Sequence, residues 1–212
     1  PDLIHYGVIS ENFDPEELST FTNIDFYVLP NNRFEQLTST VNSQGLLLVS
    51  DIPSHNENFY VASPFIVVLD RIADPGNFGT IIRTALSVGL KEIWYSANTA
   101  DPFSEKTIRS ALGAQFRLKL REFEDLSTLV KQFRKQGFNT VYRTEPAGGE
   151  TYFDVDGLFD KSIIVFGNEA GGVESIENSV PLHIPMPGGF ESINVAQAAT
   201  VILFEAVRRK SL

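Results

Sequence analysis

The chain has 212 residues, 42% of them hydrophobic, with 17 Lys and Arg against 27 Asp and Glu and no cysteine. That length builds one sizeable core, or a core with a small appended domain. Lack of cysteine excludes disulfides, thiolate metal sites and cysteine nucleophiles; His5, His55 and His183 are too scattered to share a metal, so none is expected. No apolar run approaches the ~20 residues of a membrane helix and no secretory leader pattern opens the chain, so a cytoplasmic location is expected. A net charge of -10 argues against a nucleic-acid partner until its distribution is considered. Between Lys91 and Arg143 ten bases stand against six acids, which leaves room for RNA binding along that stretch.

Residue 1 is Pro and Ile4 to Val8 already reads as structured, so the chain is expected to lack its natural beginning. Asp14 to Leu18 has the look of a helix start, Asp25 to Leu29 of a strand, Asn32 to Leu37 of a helix and Gly45 to Val49 of another strand. Residues 1–52 thus read as a small α/β domain. Residues 53–63, polar and turn-rich, read as a linker.

From residue 64 to 212 strands and helices alternate. Phe65 to Asp70, Glu92 to Tyr95, Phe116 to Arg121, Asn139 to Arg143 and Ser162 to Phe166 read as strands. Asn77 to Val88, Lys106 to Leu112, Leu126 to Gln136 and Ser192 to Lys210 read as helices. Such alternation implies an α/β domain with a largely parallel sheet and helices on both faces. In such sheets ligands sit at the loops leaving the carboxyl ends of strands.

Three such loops stand out. The first runs DRIADPGNFGTIIRTA from Asp70 to Ala85, a strand end entering a helix through a Pro-Gly turn. The second, GNEAGGV from Gly167 to Val173, has glycines that permit close backbone approach to a ligand. The third, IPMPGGFESINVAQAA from Ile184 to Ala199, enters the last helix through Ser192 and Asn194. The glycine patterns of dinucleotide and nucleoside-triphosphate sites are absent.

In order, spacing and polar positions the three segments resemble the motifs of the SpoU/TrmH family of RNA methyltransferases, in the SPOUT class. The resemblance covers roughly Pro64 to Arg209. It implies a Rossmann-like sheet whose C-terminal segment forms a trefoil knot, a homodimer with sites near the subunit interface, and S-adenosylmethionine as cofactor. It implies methylation of a ribose 2'-hydroxyl in tRNA or rRNA, without a metal.

By the same resemblance Arg83, Asn77, Glu169, Ser192 and Asn194 are the catalytic candidates. Gly167, Asn168, Gly172, Ile184, Met186, Ser192, Ile193 and Asn194 are the cofactor candidates. Lys106, Arg109 and Ser110 lie in KTIRSALGA, similar to the family's RNA-facing segment, and are expected to contact RNA. An arginine is effectively never deprotonated, so Arg83 is expected to bind the adjoining phosphate and stabilise the incipient alkoxide rather than act as a base. The N-terminal part is expected to be a partial RNA-selecting α/β domain. Two alternatives stay open at this point: methylation of a base nitrogen by the same class of fold, and a catalytically silent RNA-binding protein.

Overall fold

The computed structural model describes residues 3–40, 42–53, 59, 61, 63–168 and 171–210, and the chain divides into two compact units, Pro1–Ser54 and His55–Leu212. In the first unit β1 (Ile4–Ser10) lies between β2 (Asp25–Leu29), which runs parallel to it, and β3 (Leu46–Ser50), which runs antiparallel. Gly7 has to be glycine, because a Cβ there would lie 2.2 Å from the Phe26 ring that crosses β1. The expected helices are shorter than their sequence signals. Asp14 caps a 3₁₀ segment, Pro15–Thr20, and α1 (Asn31–Phe34) passes directly into another, Glu35–Leu37. Tyr6 and Tyr27 meet edge to face, 5.7 Å apart and exposed on one face of this sheet.

The second unit comprises β4 (Ile66–Asp70), α2 (Pro75–Ser87), β5 (Glu92–Ser96), α3 (Glu105–Ala111), β6 (Lys119–Phe123) and α4 (Leu126–Arg134). It continues with β7 (Thr140–Thr144), β8 (Glu150–Thr151), β9 (Ser162–Gly167), β10 (Ser179–His183) and α5 (Val195–Arg208). The strands form one sheet in the order β6-β5-β4-β9-β7-β10-β8, with every ladder parallel. Among the described residues no helix is long and apolar enough to cross a membrane.

The uninterrupted apolar runs of β4 and β9 follow from burial on both faces. Phe65, Val67 and Leu69 pack with Ile81, Ile82 and Leu203 of α2 and α5; Ile66 and Val68 pack with Leu129, Val130 and Phe133 of α4. Residues 59 and 61, expected in a linker, belong to that second layer. Phe59 stacks on Phe133 at 5.2 Å, Val61 is buried, and the Gln136 amide bonds the backbone of both. Polar neighbours hid two apolar anchors.

Three further boundaries differ from the sequence reading. Phe116 ends a 3₁₀ turn, so β6 begins at Lys119. α5 begins at Val195, because Asn194 rather than Ser192 accepts its free N–H groups. β10 went unread because Pro181 argues against a central strand. Its carbonyl faces Gly149, where a Cβ would lie 2.3 Å away, and β8 pairs only with Leu182 and His183, beyond the proline.

Helix α2 packs closely on α3 at Gly79, where a Cβ would lie 2.0 Å from Ser110 Oγ and 2.6 Å from the Thr107 carbonyl. Ser110, an RNA-contact candidate, sits at this helix contact: its hydroxyl lies within hydrogen-bond reach of the carbonyls of Lys106 at 2.9 Å and Pro75 at 3.2 Å. Gly79→Ala should lower unfolding free energy by about 1–3 kcal/mol from overpacking, against the ~1 kcal/mol that Ala gains over Gly in an exposed helix. Urea denaturation reads the sign, and a stabilised variant would refute this packing.

At the far end of α5, Glu205 is buried and receives Arg208 and Arg209; Arg209 also donates to the carbonyls of Val155 and Phe153 at 2.6 and 2.8 Å. The Arg208 hydrogen bond, with Arg209 beside it and against desolvation, holds the Glu205 carboxyl down at about 2. A depressed carboxyl pKa stabilises the fold above the unfolded value near 4.5, and that contribution is lost as pH falls from there toward 2. Glu205→Gln should flatten the acid limb of a stability-against-pH curve over this interval; an unchanged limb would count against the pairing.

Candidate active site

Parallel pairing sets Asp70, the last residue of β4, opposite Gly167, the last of β9. Both chains leave the sheet there, side by side. Arg71 turns into the left-handed region at φ +57°, held by its N–H to Ser96 Oγ at 2.8 Å. Its guanidinium donates twice to the buried Asp70 carboxylate, at 3.1 and 2.9 Å, and once to the Gly172 carbonyl at 3.2 Å. Asp70 also accepts the Glu174 N–H at 2.9 Å, and Asn168 Nδ2 returns a bond to the Arg71 carbonyl at 2.9 Å. The second glycine loop is thereby stapled to the end of β4.

Within that loop Gly172 N–H donates to the Asn168 carbonyl at 2.8 Å. The turn folds so tightly that a Cβ on Gly167 would sit 2.5 Å from Gly172 C and Val173 N. Gly172 itself has φ +62°. Glu169, a catalytic candidate, lies outside the described residues.

A cavity of about 490 Å³ opens beside this staple. All eight cofactor candidates line it: Gly167, Asn168, Gly172, Ile184, Met186, Ser192, Ile193 and Asn194. Its apolar wall is completed by Leu182, Val195 and Ile202, and its polar wall by Thr144 and Glu145. These five were missed by motif reading. Thr144 and Glu145 sit at and just beyond the carboxyl end of β7, and that position in a parallel sheet was the signal available for finding them. The Glu145 carboxylate, bonded by Arg143 Nε at 3.0 Å, can accept hydrogen bonds from sugar hydroxyls or an ammonium group.

Asn194 links the third loop to the first. Its Oδ1 accepts the N–H of Ala196 at 2.8 Å and caps α5, while its Nδ2 donates to Asn77 Oδ1 at 2.9 Å. Asn77 in turn donates its N–H to the α2 cap, Asp74, at 2.8 Å. The hydrogen bond from Lys106 at 2.7 Å, more than that from Asn77, holds the Asp74 carboxyl below its ordinary value. Lys106 and Arg109, both exposed, are paired with Asp74 and Glu105 respectively.

Arg83 is not brought to this cavity. It is exposed, outside the cavity lining, and pairs with no acid among the described residues. Helix geometry gives the reason: six residues beyond Asn77 it lies about 9 Å further along α2 and about 240° around it. Motif spacing holds the two residues on one helix but on different faces.

Asn194→Ala removes the cap and the bond to Asn77 and should cost about 1–2 kcal/mol. Asn194→Asp keeps the cap acceptor and should recover most of that cost. Thermal unfolding of both variants tests this; equal losses would mean that the cap contributes little.

Residues 64–204 match the family described as the SpoU rRNA Methylase family. An uncharacterised tRNA/rRNA methyltransferase of Synechocystis is 32% identical over 89% of this chain and 69% of its own length. A 23S rRNA (guanosine(2553)-2'-O)-methyltransferase of Bacillus subtilis is 32% identical over 90% of this chain and 75% of its own. The AdoMet-bound structure of an rRNA methyltransferase from Sinorhizobium meliloti superposes with a TM-score of 0.76 at 26% identity, covering 97% of this chain and 80% of that one. With its three motif loops gathered at the ends of parallel strands, this chain belongs to the SpoU rRNA methylase family.

Proposed function

We infer that this chain is an RNA ribose 2'-O-methyltransferase that uses S-adenosylmethionine. The observation that carries the reading is the single cavity built by the second and third motif loops and joined to the first by the Asn194–Asn77 bond. Its volume, about 490 Å³, falls in the range of pockets that bury a small organic ligand. Its chemistry fits the cofactor: aliphatic side chains for an adenine, close-packed glycine backbone for polar edges, and Glu145 for hydroxyl or ammonium groups. When bound, S-adenosylmethionine supplies an electrophilic sulfonium methyl, whose C–S bond breaks as the ribose O–C bond forms. The hydroxyl proton passes to the adjoining phosphate or to water.

For the rest the chain's own groups suffice. Ser192 and Asn194 line the cavity and orient the ribose. Arg83 binds the adjoining phosphate and stabilises the incipient alkoxide. Because Asn77 and Arg83 face different sides of α2, the Arg83 that serves a given cavity comes from the second subunit of a homodimer. Exposed apolar residues on α5, Phe204 and Val207, support such a contact. Lys106 and Arg109 exchange their acidic partners for RNA phosphate. The three-stranded N-terminal unit helps select the RNA through its exposed Tyr6 and Tyr27. A trefoil knot at residues 167–195 is supported by β10, which lies beyond β7, followed by α5, which returns to pack on α2 and β9.

Two measurements on one variant test this reading. Arg83→Lys keeps charge and loses the bidentate fork, so methyl transfer from radiolabelled S-adenosylmethionine to RNA should fall at least about tenfold. Cofactor affinity by calorimetry should not change, since Arg83 does not line the cavity. Near-normal turnover would remove Arg83 from the mechanism. Equal mixtures of Arg83→Ala with a cofactor-binding variant, Gly167→Ala, should regain activity that neither has alone if the site is shared between subunits.

A further inference from the structure

A second cavity of about 500 Å³ adjoins the first and shares Pro146, Ile184 and Met186 with it. On its rim Phe190 is 82% exposed, the most exposed large hydrophobic side chain among the described residues. It follows a turn closed by Gly189 N–H to the Met186 carbonyl at 3.1 Å, with Gly189 at φ +76°, and stands two residues before Ser192 of the first cavity. Nothing in the core explains it. An exposed ring of this kind is what RNA-binding proteins use to stack an unpaired base.

The polar side chains that line this cavity are two, His183 and Glu191, and the carboxylate of the second can only accept hydrogen bonds. Glu191 contributes a carboxylate that is exposed and pairs with no base among the described residues. His183 Nδ1 lies 3.2 Å from the Glu150 carbonyl, which can only accept, so that nitrogen is engaged there as a donor. No Lys, Arg, Asn or Gln lines the cavity. The Glu191 carboxylate is therefore complementary to a base edge made of donors. Guanine alone has two adjacent donors on its Watson–Crick edge, N1–H and the N2 amino group, which a carboxylate takes together. Adenine and cytosine set an acceptor nitrogen beside their one amino group, and uracil flanks its one N–H with two carbonyl oxygens. Each of these turns a lone pair toward Glu191.

We propose that this second cavity is the base subsite of the methyl transfer: the target nucleotide is a guanosine, stacked on Phe190 and read by Glu191, with its ribose directed at the first cavity. The proposal rests on the methyltransferase reading. The walls shared by the two cavities let a base sit in one while its sugar meets Ser192 and Asn194 of the other. Phe190 and Glu191 are positioning and specificity residues, not catalytic ones.

Total RNA from cells lacking the gene, incubated with the protein and tritiated S-adenosylmethionine and then hydrolysed to nucleosides, should carry its label in 2'-O-methylguanosine. Phe190→Ala should raise KM for RNA about tenfold or more, and Phe190→Tyr should restore it. Glu191→Gln should lower kcat/KM by about tenfold or more. Both variants should bind S-adenosylmethionine as the wild type does. Label in a 2'-O-methylated pyrimidine or adenosine overturns the guanine subsite and leaves the ribose methyltransferase reading standing. Weakened cofactor binding by Phe190→Ala also overturns it, since the second cavity would then hold part of the cofactor. Absence of any ribose-methylated nucleoside overturns both readings.

Discussion

Everything at the functional end of the sheet depends on two parallel strands, β4 and β9, that end in register at Asp70 and Gly167. Parallel pairing alone brings their two loops out at one edge, but it does not fix the loops to one another. That is done by Asp70 and Arg71. The ion pair is half-buried, 3% exposed on the Asp70 side and 38% on the Arg71 side, and its buried side is satisfied: two guanidinium bonds to the carboxylate, one to the Gly172 carbonyl, and the Glu174 N–H on the carboxylate. A buried charge pair is tolerable only when its remaining donors and acceptors are satisfied in this way. The left-handed turn at Arg71 is the local cost of directing that side chain across the strand ends.

From this staple the cavity follows. Gly167 lets the second loop fold back on itself, Gly172 turns it, and the third loop closes the opposite wall through Ile184, Met186 and Ile193. Asn194 then does two things with one amide: its oxygen starts α5 and its nitrogen holds Asn77 at the start of α2. The N-termini of both helices are therefore held together beside the cavity, where the positive ends of their backbone dipoles favour a phosphate or a developing alkoxide. This offers a physical account of how a chain with a net charge of -10 can act on RNA: the favourable field is local to the site.

Much of this was legible in the sequence, for a physical reason. Buried strands such as Ser162–Gly167 read as apolar runs, glycines mark close approaches, and helix caps precede the first turn. What was not legible depends on contacts far apart in the chain. Phe59 and Val61 looked like linker because their anchors, Phe133 and Gln136, lie more than seventy residues away. Pro181 hid β10, since the residue that accommodates it is Gly149. Thr144 and Glu145 carry no motif, and Asp70 and Arg71 read as an ordinary strand end. Ser110 matched an RNA-facing pattern, which gave no sign that its hydroxyl sits where α3 meets α2. Spacing placed Arg83 and Asn77 in one motif, and only helix geometry separates the directions in which they point.

The central claim is that the methyl group goes to a ribose oxygen. Incubation of the protein with RNA and S-adenosylmethionine bearing a trideuterated methyl, followed by fragmentation of the nucleosides in a mass spectrometer, locates the label directly. The account predicts that the added mass stays with the ribose fragment. Label retained on a base, or none transferred although the cofactor binds, would contradict it.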